Sequence, residues 1–484
     1  IVQWGEAFTF LNGINQINPA DGSARYKPGA QIRDMLLPLP LIKLAGGISD
    51  TLSFEAVYLL DWQASEQTPT GSWYSTNDVT SPGSERSLIA VAETPLSTIV
   101  TSMRLNANRI DDQTLALARQ ADQTGQGTEF GLRLNWFADA LNASDFSVYF
   151  LRLRARKPII ALRTGEAFGT LQSGSAACGG AVGLIAAQNP SQPVPTCAQL
   201  TEPGLRGLGY SDTQIAQALP IIGAANVAHN FETTEYWLEY PDTQNLFGFA
   251  FNTLIGDTSI AVELSYQPDR WFIQDDLAQL LYYQAGVVSQ LANGGVIEPG
   301  GFGPNVEERV GPSQVIRAAG QTDFTTLSLA GLHSFGPGFG FNDLKLLVEL
   351  GYSYMSDTSG QAYSAQGSLP FIAGQASEGS SDQRLTRSAY GYRLALSADR
   401  HNFFNGMLSG VSFTPALRLR HDVQGNSVLG GEFLEGRKLA ELEITARYGL
   451  SLEFLVKYGW FFGAADRNQL LDRDFALFDI SYSF

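Results

Sequence analysis

The chain has 484 residues, with 50 Gly, 11% aromatic and only 16% charged residues, where an ordinary soluble domain carries roughly 25% charged residues. Its net charge of −17, with no basic patch, excludes a nucleic-acid binder, whose phosphate contacts require Lys and Arg; acidic loops suit divalent cations among lipopolysaccharide head groups or, equally, simple solubility. No run of about 18 apolar residues offers a transmembrane helix, whereas a mean hydropathy of −0.05 suits strands that face lipid on one side and a polar lumen on the other.

Ile1-Val2-Gln3-Trp4 reads as strand, and with neither an initiator Met nor a signal sequence the expectation is a processed or missing N-terminus; if strands precede Ile1, the sequence undercounts the barrel. Trp4-Gly5-Glu6 leads into Asn12-Gly13-Ile14-Asn15, Asn18-Pro19, Pro28-Gly29-Ala30, Arg33-Asp34 and Leu37-Pro38-Leu39-Pro40. This mixture of turn formers and apolar residues is poor strand material. Residues 1–50 are therefore expected to fold inside a barrel or across its mouth, with a plain periplasmic turn region as the competing reading.

Period-two alternation follows in Leu52, Phe54, Tyr58 and Leu60, and in Phe130, Leu132, Leu134 and Trp136. It returns in Ile260, Val262, Leu264 and Tyr266, in Leu344, Leu346, Val348 and Leu350, and in Tyr390, Tyr392, Leu394 and Leu396. Two stretches interrupt it. Residues 165–230 form a long insertion with an expected helix over Asp212 to Val227, which Pro220 should break or kink. Asp275 to Ala292, with Leu277, Leu280, Leu281 and Val288, reads as a second helix, and such segments in a barrel cover the outside or plug the lumen. Leu184, Ile185, Ile221, Ile222, Leu280 and Leu281 offer apolar surface to cargo or, more ordinarily, to the barrel wall. Cys178 and Cys197, the only cysteines, are read as one disulfide rather than two free thiols. An oxidising periplasm or cell surface permits it, so short a loop gives about 3 kcal/mol, and the spacing lacks a zinc pattern.

The C-terminal part alternates most clearly. Val411, Phe413, Leu417 and Leu419 interleave with Ser412, Thr414, Arg418 and Arg420; Leu442, Ile444, Ala446 and Tyr448 with Glu441, Glu443, Thr445 and Arg447; Leu452, Phe454, Val456, Tyr458 and Trp460 with Glu453, Lys457 and Gly459. Gly449 to Ser451 leaves room only for a tight turn, while Val423 to Gly436 is a long Gly-rich connection, the asymmetry of outer-membrane barrels. The inward set Arg418, Arg420, Glu441, Glu443, Arg447, Glu453 and Lys457 reads as a satisfied salt-bridge ladder in the barrel wall, with a selectivity ladder or proton relay as the sharper alternative. The last strand carries Phe478, Ile480, Tyr482 and the terminal Phe484, resembling the signal read by the barrel-assembly machinery, with Asp479 where a glycine is usual. Periodicity counts roughly fourteen to eighteen strands. The expected fold is all-β: one transmembrane antiparallel barrel over residues 1–484 with helical and loop insertions.

Catalysis is not expected. His229, His333, His401 and His421 lack a nucleophile elbow or an orienting partner. Asp472 and Asp474 lack the twelve-residue calcium loop, so neither metal nor cofactor is assigned.

The N-terminal residues carry a resemblance. Trp4-Gly5-Glu6, Asn12-Gly13-Ile14-Asn15, Asn18-Pro19 and Pro28-Gly29, with Leu37-Pro38, Phe54-Glu55, Tyr58, Trp62 and Tyr74-Ser75-Thr76-Asn77-Asp78, resemble a proteobacterial family known as a domain of unknown function, number 1302. The match is dense over about the first eighty residues. The resemblance implies an outer-membrane location and, through genes that often sit alongside, a periplasmic lipid-carrier-like protein and an efflux-type permease as partners. The resulting expectation is a monomeric outer-membrane conduit for hydrophobic or lipid-like molecules, controlled by plug or loop segments and in contact with outer-membrane lipid and lipopolysaccharide. A polar-solute porin and a non-transporting scaffold in an envelope complex are the rivals.

Overall fold

A computed structural model describes residues 1–10, 13–24, 35–75, 81–84, 86–90, 114–166, 171–273, 312–317, 319–357, 385–402, 410–427, 433–449, 451–465, 468 and 470–482. The helix expected over 275–292, and Asn12, Pro28, Gly29, Ala30, Arg33, Asp34, Thr76, Asn77, Asp78 and Phe484, lie outside the described residues. The strands are β1 (Leu41–Gly47), β2 (Leu52–Leu59), β3 (Arg86–Ala90), β4 (Thr114–Arg119), β5 (Gln123–Thr124), β6 (Phe130–Ala138), β7 (Ser144–Leu153), β8 (Ile159–Arg163), β9 (Glu235–Tyr240) and β10 (Gln244–Ile255). They continue with β11 (Thr258–Ile273), β12 (Val315–Arg317), β13 (Ala319–Ser334), β14 (Asp343–Met355), β15 (Ser388–Asp399), β16 (Val411–Gln424), β17 (Lys438–Tyr448), β18 (Leu452–Phe462) and β19 (Phe475–Tyr482).

Thirteen of them form one antiparallel sheet in the order β1-β2-β6-β7-β10-β11-β13-β14-β15-β16-β17-β18-β19, and β12, β8, β9, β4, β3 and β5 form a second sheet. The expected fourteen to eighteen strands fall between the main sheet and the total. The main sheet curls. Laid flat, β2 and β19 would stand roughly 50 Å apart, yet the segment leaving β2 stacks Tyr74 on Phe475 and places Trp73 under Arg473. Among the described residues β1 and β19 are not hydrogen-bonded to each other, so the barrel is open along that seam.

Register shows why the sheet folds this way. Phe54, Leu134, Val148, Phe249, Leu264, Leu327, Tyr352 and Tyr390 lie directly across from one another on consecutive strands, all on the outer face. A one-residue slip anywhere would send this row inward. The three alternating C-terminal strands pair as their sequences require, with Leu417, Leu442 and Tyr458 in one outward row and Arg418, Glu441 and Gly459 in the next inward row. No helix among the described residues is long and apolar enough to cross a membrane, and the exposed apolar surface lies mainly on the strands.

Short turns join the strands at one end, such as 47–52, 138–144, 255–258 and 448–452, while the long insertions leave from the other. There, the described residues of 165–230 fold as a small head on β8 and β9. Ser175 caps the helix Ala176–Gln188 by accepting from the Cys178 N–H, and Cys178 is bonded to Cys197 across a Cα separation of 5.7 Å. The helix Asp212–Glu232 runs on through Pro220 instead of ending there. A proline inside a helix costs about 3 kcal/mol; Ile215, Ala218, Ile221, Ile222 and Ala225, buried against Tyr236 and Leu238, provide the offsetting core. Ile185, Ile221 and Ile222 are thus consumed inside the head, and Leu184 packs against the same core.

The first residues are not strand. Ile1 to Trp4 is irregular: Val2 and Trp4 point together into an apolar cluster with Leu39, Val57, Leu59, Tyr149, Leu151 and Leu246, as they also would in a strand, but the Val2 N–H and carbonyl are bonded by the Asn18 side chain rather than by a neighbouring strand.

Candidate functional site

The site is the contact between the described residues of the segment 2–18 and the inner wall. Asn18 closes this segment into a loop by bonding both backbone groups of Val2: its Nδ2 donates to the Val2 carbonyl at 3.0 Å, and the Val2 N–H donates to its Oδ1 at 3.4 Å. Pro19 accepts from the Leu37 N–H. Arg156, beyond the end of β7, donates to the Ile17 carbonyl at 3.2 Å and pairs with buried Glu129 at 3.0 Å. Burial pulls Arg156 down to about 10, with Glu129 opposing, so it stays charged at neutral pH.

Two inward carboxylates hold the loop. Glu263 on β11, 2% exposed, accepts the N–H groups of Glu6, Ala7 and Ile14 at 2.7, 3.1 and 2.8 Å. Glu349 on β14, fully buried, accepts those of Phe8 and Thr9 at 2.9 and 2.8 Å, together with the Thr9 and Ser328 hydroxyls. Among the described residues neither carboxylate has an ion pair with Lys or Arg. Their charge is met by peptide N–H donors, an arrangement that satisfies a buried carboxylate only when several donors converge.

Glycine makes the approach possible on both sides. A Cβ on Gly5 or Gly13 would fall inside the Glu263 carboxylate, and Gly5 sits at φ +101°, a conformation that favours glycine. On the wall, a Cβ at Gly131 would lie 2.7 Å from the Trp4 ring and one at Gly248 2.7 Å from Ile14, while Gly351 leaves room for Phe10. Trp4 also donates its Nε1–H to Glu55 at 2.9 Å. Asn15 is packed in the same loop.

The charged ladder lies on the same inner face, farther round the sheet. Arg418 pairs with Glu443 at 2.6 Å, Lys457 with Glu441 at 2.6 Å, Arg447 with Glu453, and Arg420 with Asp422 at 3.5 Å. The Arg418 side chain is 40% exposed. Phe478, Ile480 and Tyr482 project outward and exposed on β19. Of the histidines, His229 bonds Glu166, His333 bonds Thr258, and His421 contacts Tyr392 on the outer face, so the structure does not bring them together. Among the described residues no group of His, Cys, Asp or Glu could hold a metal ion.

Sequence reasoning named Gly5, Glu6 and Gly13 but not Glu263 or Glu349. Their signal was a single acid at an inward position flanked by small inward residues, Ala261 and Ser265 for one and Gly351 for the other.

The loop side of the clamp, from Trp4 to Pro19, lies in the segment that carried the resemblance, whereas Glu263 and Glu349 lie outside it. The chain belongs to the DUF1302 family. The model of that family, described as a protein of unknown function, matches residues 1–484. No curated protein matches the chain. Among solved structures, a mutant ferric enterobactin receptor, PfeA, from Pseudomonas aeruginosa aligns at 12% identity and a TM-score of 0.31, over 87% of this chain and 40% of the receptor. A FadL homologue from Pseudomonas aeruginosa aligns at 10% identity and a TM-score of 0.25, over 92% of this chain and 75% of that one. The chain therefore spans less than half the length of the receptor it matches, and scores this low carry nothing about its function.

Proposed function

We propose that the protein is an outer-membrane barrel that passes hydrophobic, lipid-like molecules and is held shut by its N-terminal loop. The observation that carries this reading is the pair of buried carboxylates, Glu263 and Glu349, holding residues 6–9 and 14 across the inner wall. Membrane insertion is supported by the outward apolar rows, since a contiguous exposed patch beyond several hundred Å² is rare on a soluble monomer. Hydrophobic cargo is supported by what the loop covers. Val57, Leu59, Leu151, Leu153 and Leu246 form an inward apolar strip with Val2, Trp4, Ile14 and Ile17 lying on it, and moving the loop would free that strip for an apolar molecule. Outer-membrane lipid, a periplasmic lipid-carrier-like protein and an efflux-type permease are the partners this reading calls for.

One observation favours a second reading. The ladder wall carries charges paired across adjacent strands that keep part of their surface exposed, which suits a polar-solute pore. Conductance in planar bilayers separates the two. The conduit predicts little steady ion current and co-purified lipid; a large, stable open current would overturn it in favour of the porin.

A further inference from the structure

We infer that residues 433–437, the part of the mouth loop that leads into β17 at the long-insertion end, control the N-terminal gate through Asp422, Arg393 and Phe433. This inference rests on the reading of residues 2–18 as a gate and adds where that gate is operated.

Asp422 is fully buried near the end of β16 and fixes the chain that follows. Its Oδ2 accepts the Leu434 N–H at 3.2 Å and the Arg437 guanidinium at 2.7 Å, while its backbone N–H donates to the Arg437 carbonyl and its carbonyl accepts the Gly436 N–H. Its Oδ1 meets Arg393 at 3.0 Å. Arg393 in turn lies over the Phe10 ring at 4.7 Å and the Phe433 ring at 5.9 Å, and the two rings pack 5.5 Å apart. One guanidinium therefore joins a residue of the gate, a residue of the mouth loop and the carboxylate that shapes that loop. A stacked guanidinium favours both rings staying in place.

The wall is adapted to this contact. Register slips between Tyr390 and Gly391, where β15 meets Asp422, and a Cβ on Gly391 would stand 2.4 Å from the His421 carbonyl oxygen and 3.2 Å from Phe433. A bulge re-aims the side chains beside it, and this one lies at Asp422, whose carboxylate binds the Leu434 N–H next to Phe433. Arg393 also lies directly across from Glu349, the carboxylate that holds Phe8 and Thr9. The mouth loop and the clamp thus act on adjoining residues of the gate, so a displacement of Phe433 is passed to Phe10 and, one residue on, to the amides bonded by Glu349.

The experiment is a double-mutant cycle read as open probability in planar bilayers, using full-length protein whose folded barrel is verified by heat-modifiable migration. Phe433→Ala and Phe10→Ala are each expected to raise open probability at least tenfold, the double variant no further than either single, and Phe433→Tyr to restore the closed state. Glu263→Gln with Glu349→Gln serves as the reference for a gate opened directly. If that reference opens and Phe433→Ala stays closed, or if the two alanine effects multiply, control from the mouth is overturned and the gate stands. If the reference stays closed with its barrel folded, the gate reading itself fails and this inference falls with it.

Discussion

The two walls of the lumen treat inward-facing charge in opposite ways. On the clamped wall, Glu263 and Glu349 are buried and answered by peptide N–H groups of a distant segment. On the ladder wall, Arg418, Glu441, Glu443 and Lys457 answer one another across adjacent strands and keep part of their surface open. The difference teaches that a wall of paired charges is complete in itself, whereas the clamped wall is complete only with residues 2–18 in place. Removing those residues would leave Glu263 without its peptide donors and Glu349 with the Ser328 hydroxyl alone. The loop and the two acids are therefore one structure, although about 250 to 340 residues separate them.

Changes to the clamp break this comparison hardest. Glu349→Ala leaves the Phe8 and Thr9 amides without acceptors, at about 1–3 kcal/mol each, and chymotrypsin is expected to cut after Phe8 and Phe10 far faster than in the parent protein. Unchanged cleavage would mean that Glu349 does not hold the loop. Gly13→Ala, which drives a methyl group into the Glu263 carboxylate, is expected to cost about 3 kcal/mol and to lower the thermal midpoint; full stability would refute the close approach. Replacing both Cys178 and Cys197 by Ser removes about 3 kcal/mol from the head alone. Proteolysis should then rise within 165–230 and stay unchanged in residues 2–18, which separates the head from the clamp. Arg418→Ala should be the mildest, under about 1 kcal/mol. Its coupling to Glu443 in a double-mutant cycle should shrink as salt rises, while the effect of Glu349→Ala should not, because buried groups are screened far less.

Much of the fold was legible because alternation is a local property. The outward row through Phe54, Leu134, Leu264 and Tyr390 could be read strand by strand, and so could the ladder, whose members lie on consecutive strands. The disulfide was legible because only two cysteines exist. What the sequence hid was pairing over long separations. Gly5 and Gly13 read as turn formers, no local pattern says that Glu263 closes on both of them, and Glu349 looked like any polar residue in an alternating strand. Ile1 to Trp4 misled for a related reason: spacing suited to a strand also suits a coil that buries Val2 and Trp4 in one cluster. Pro220 misled because propensity is local and the head core that overrides it is not.

Amide hydrogen exchange tests the central claim most directly, since the account rests on five backbone N–H groups bonded to two side chains. In the native protein, Glu6, Ala7, Phe8, Thr9 and Ile14 should exchange as slowly as amides of β11 and β14, and Glu263→Gln with Glu349→Gln should speed them by at least a hundredfold while the strand amides stay protected. Exchange of residues 6–14 at free-loop rates in the native protein would contradict the account.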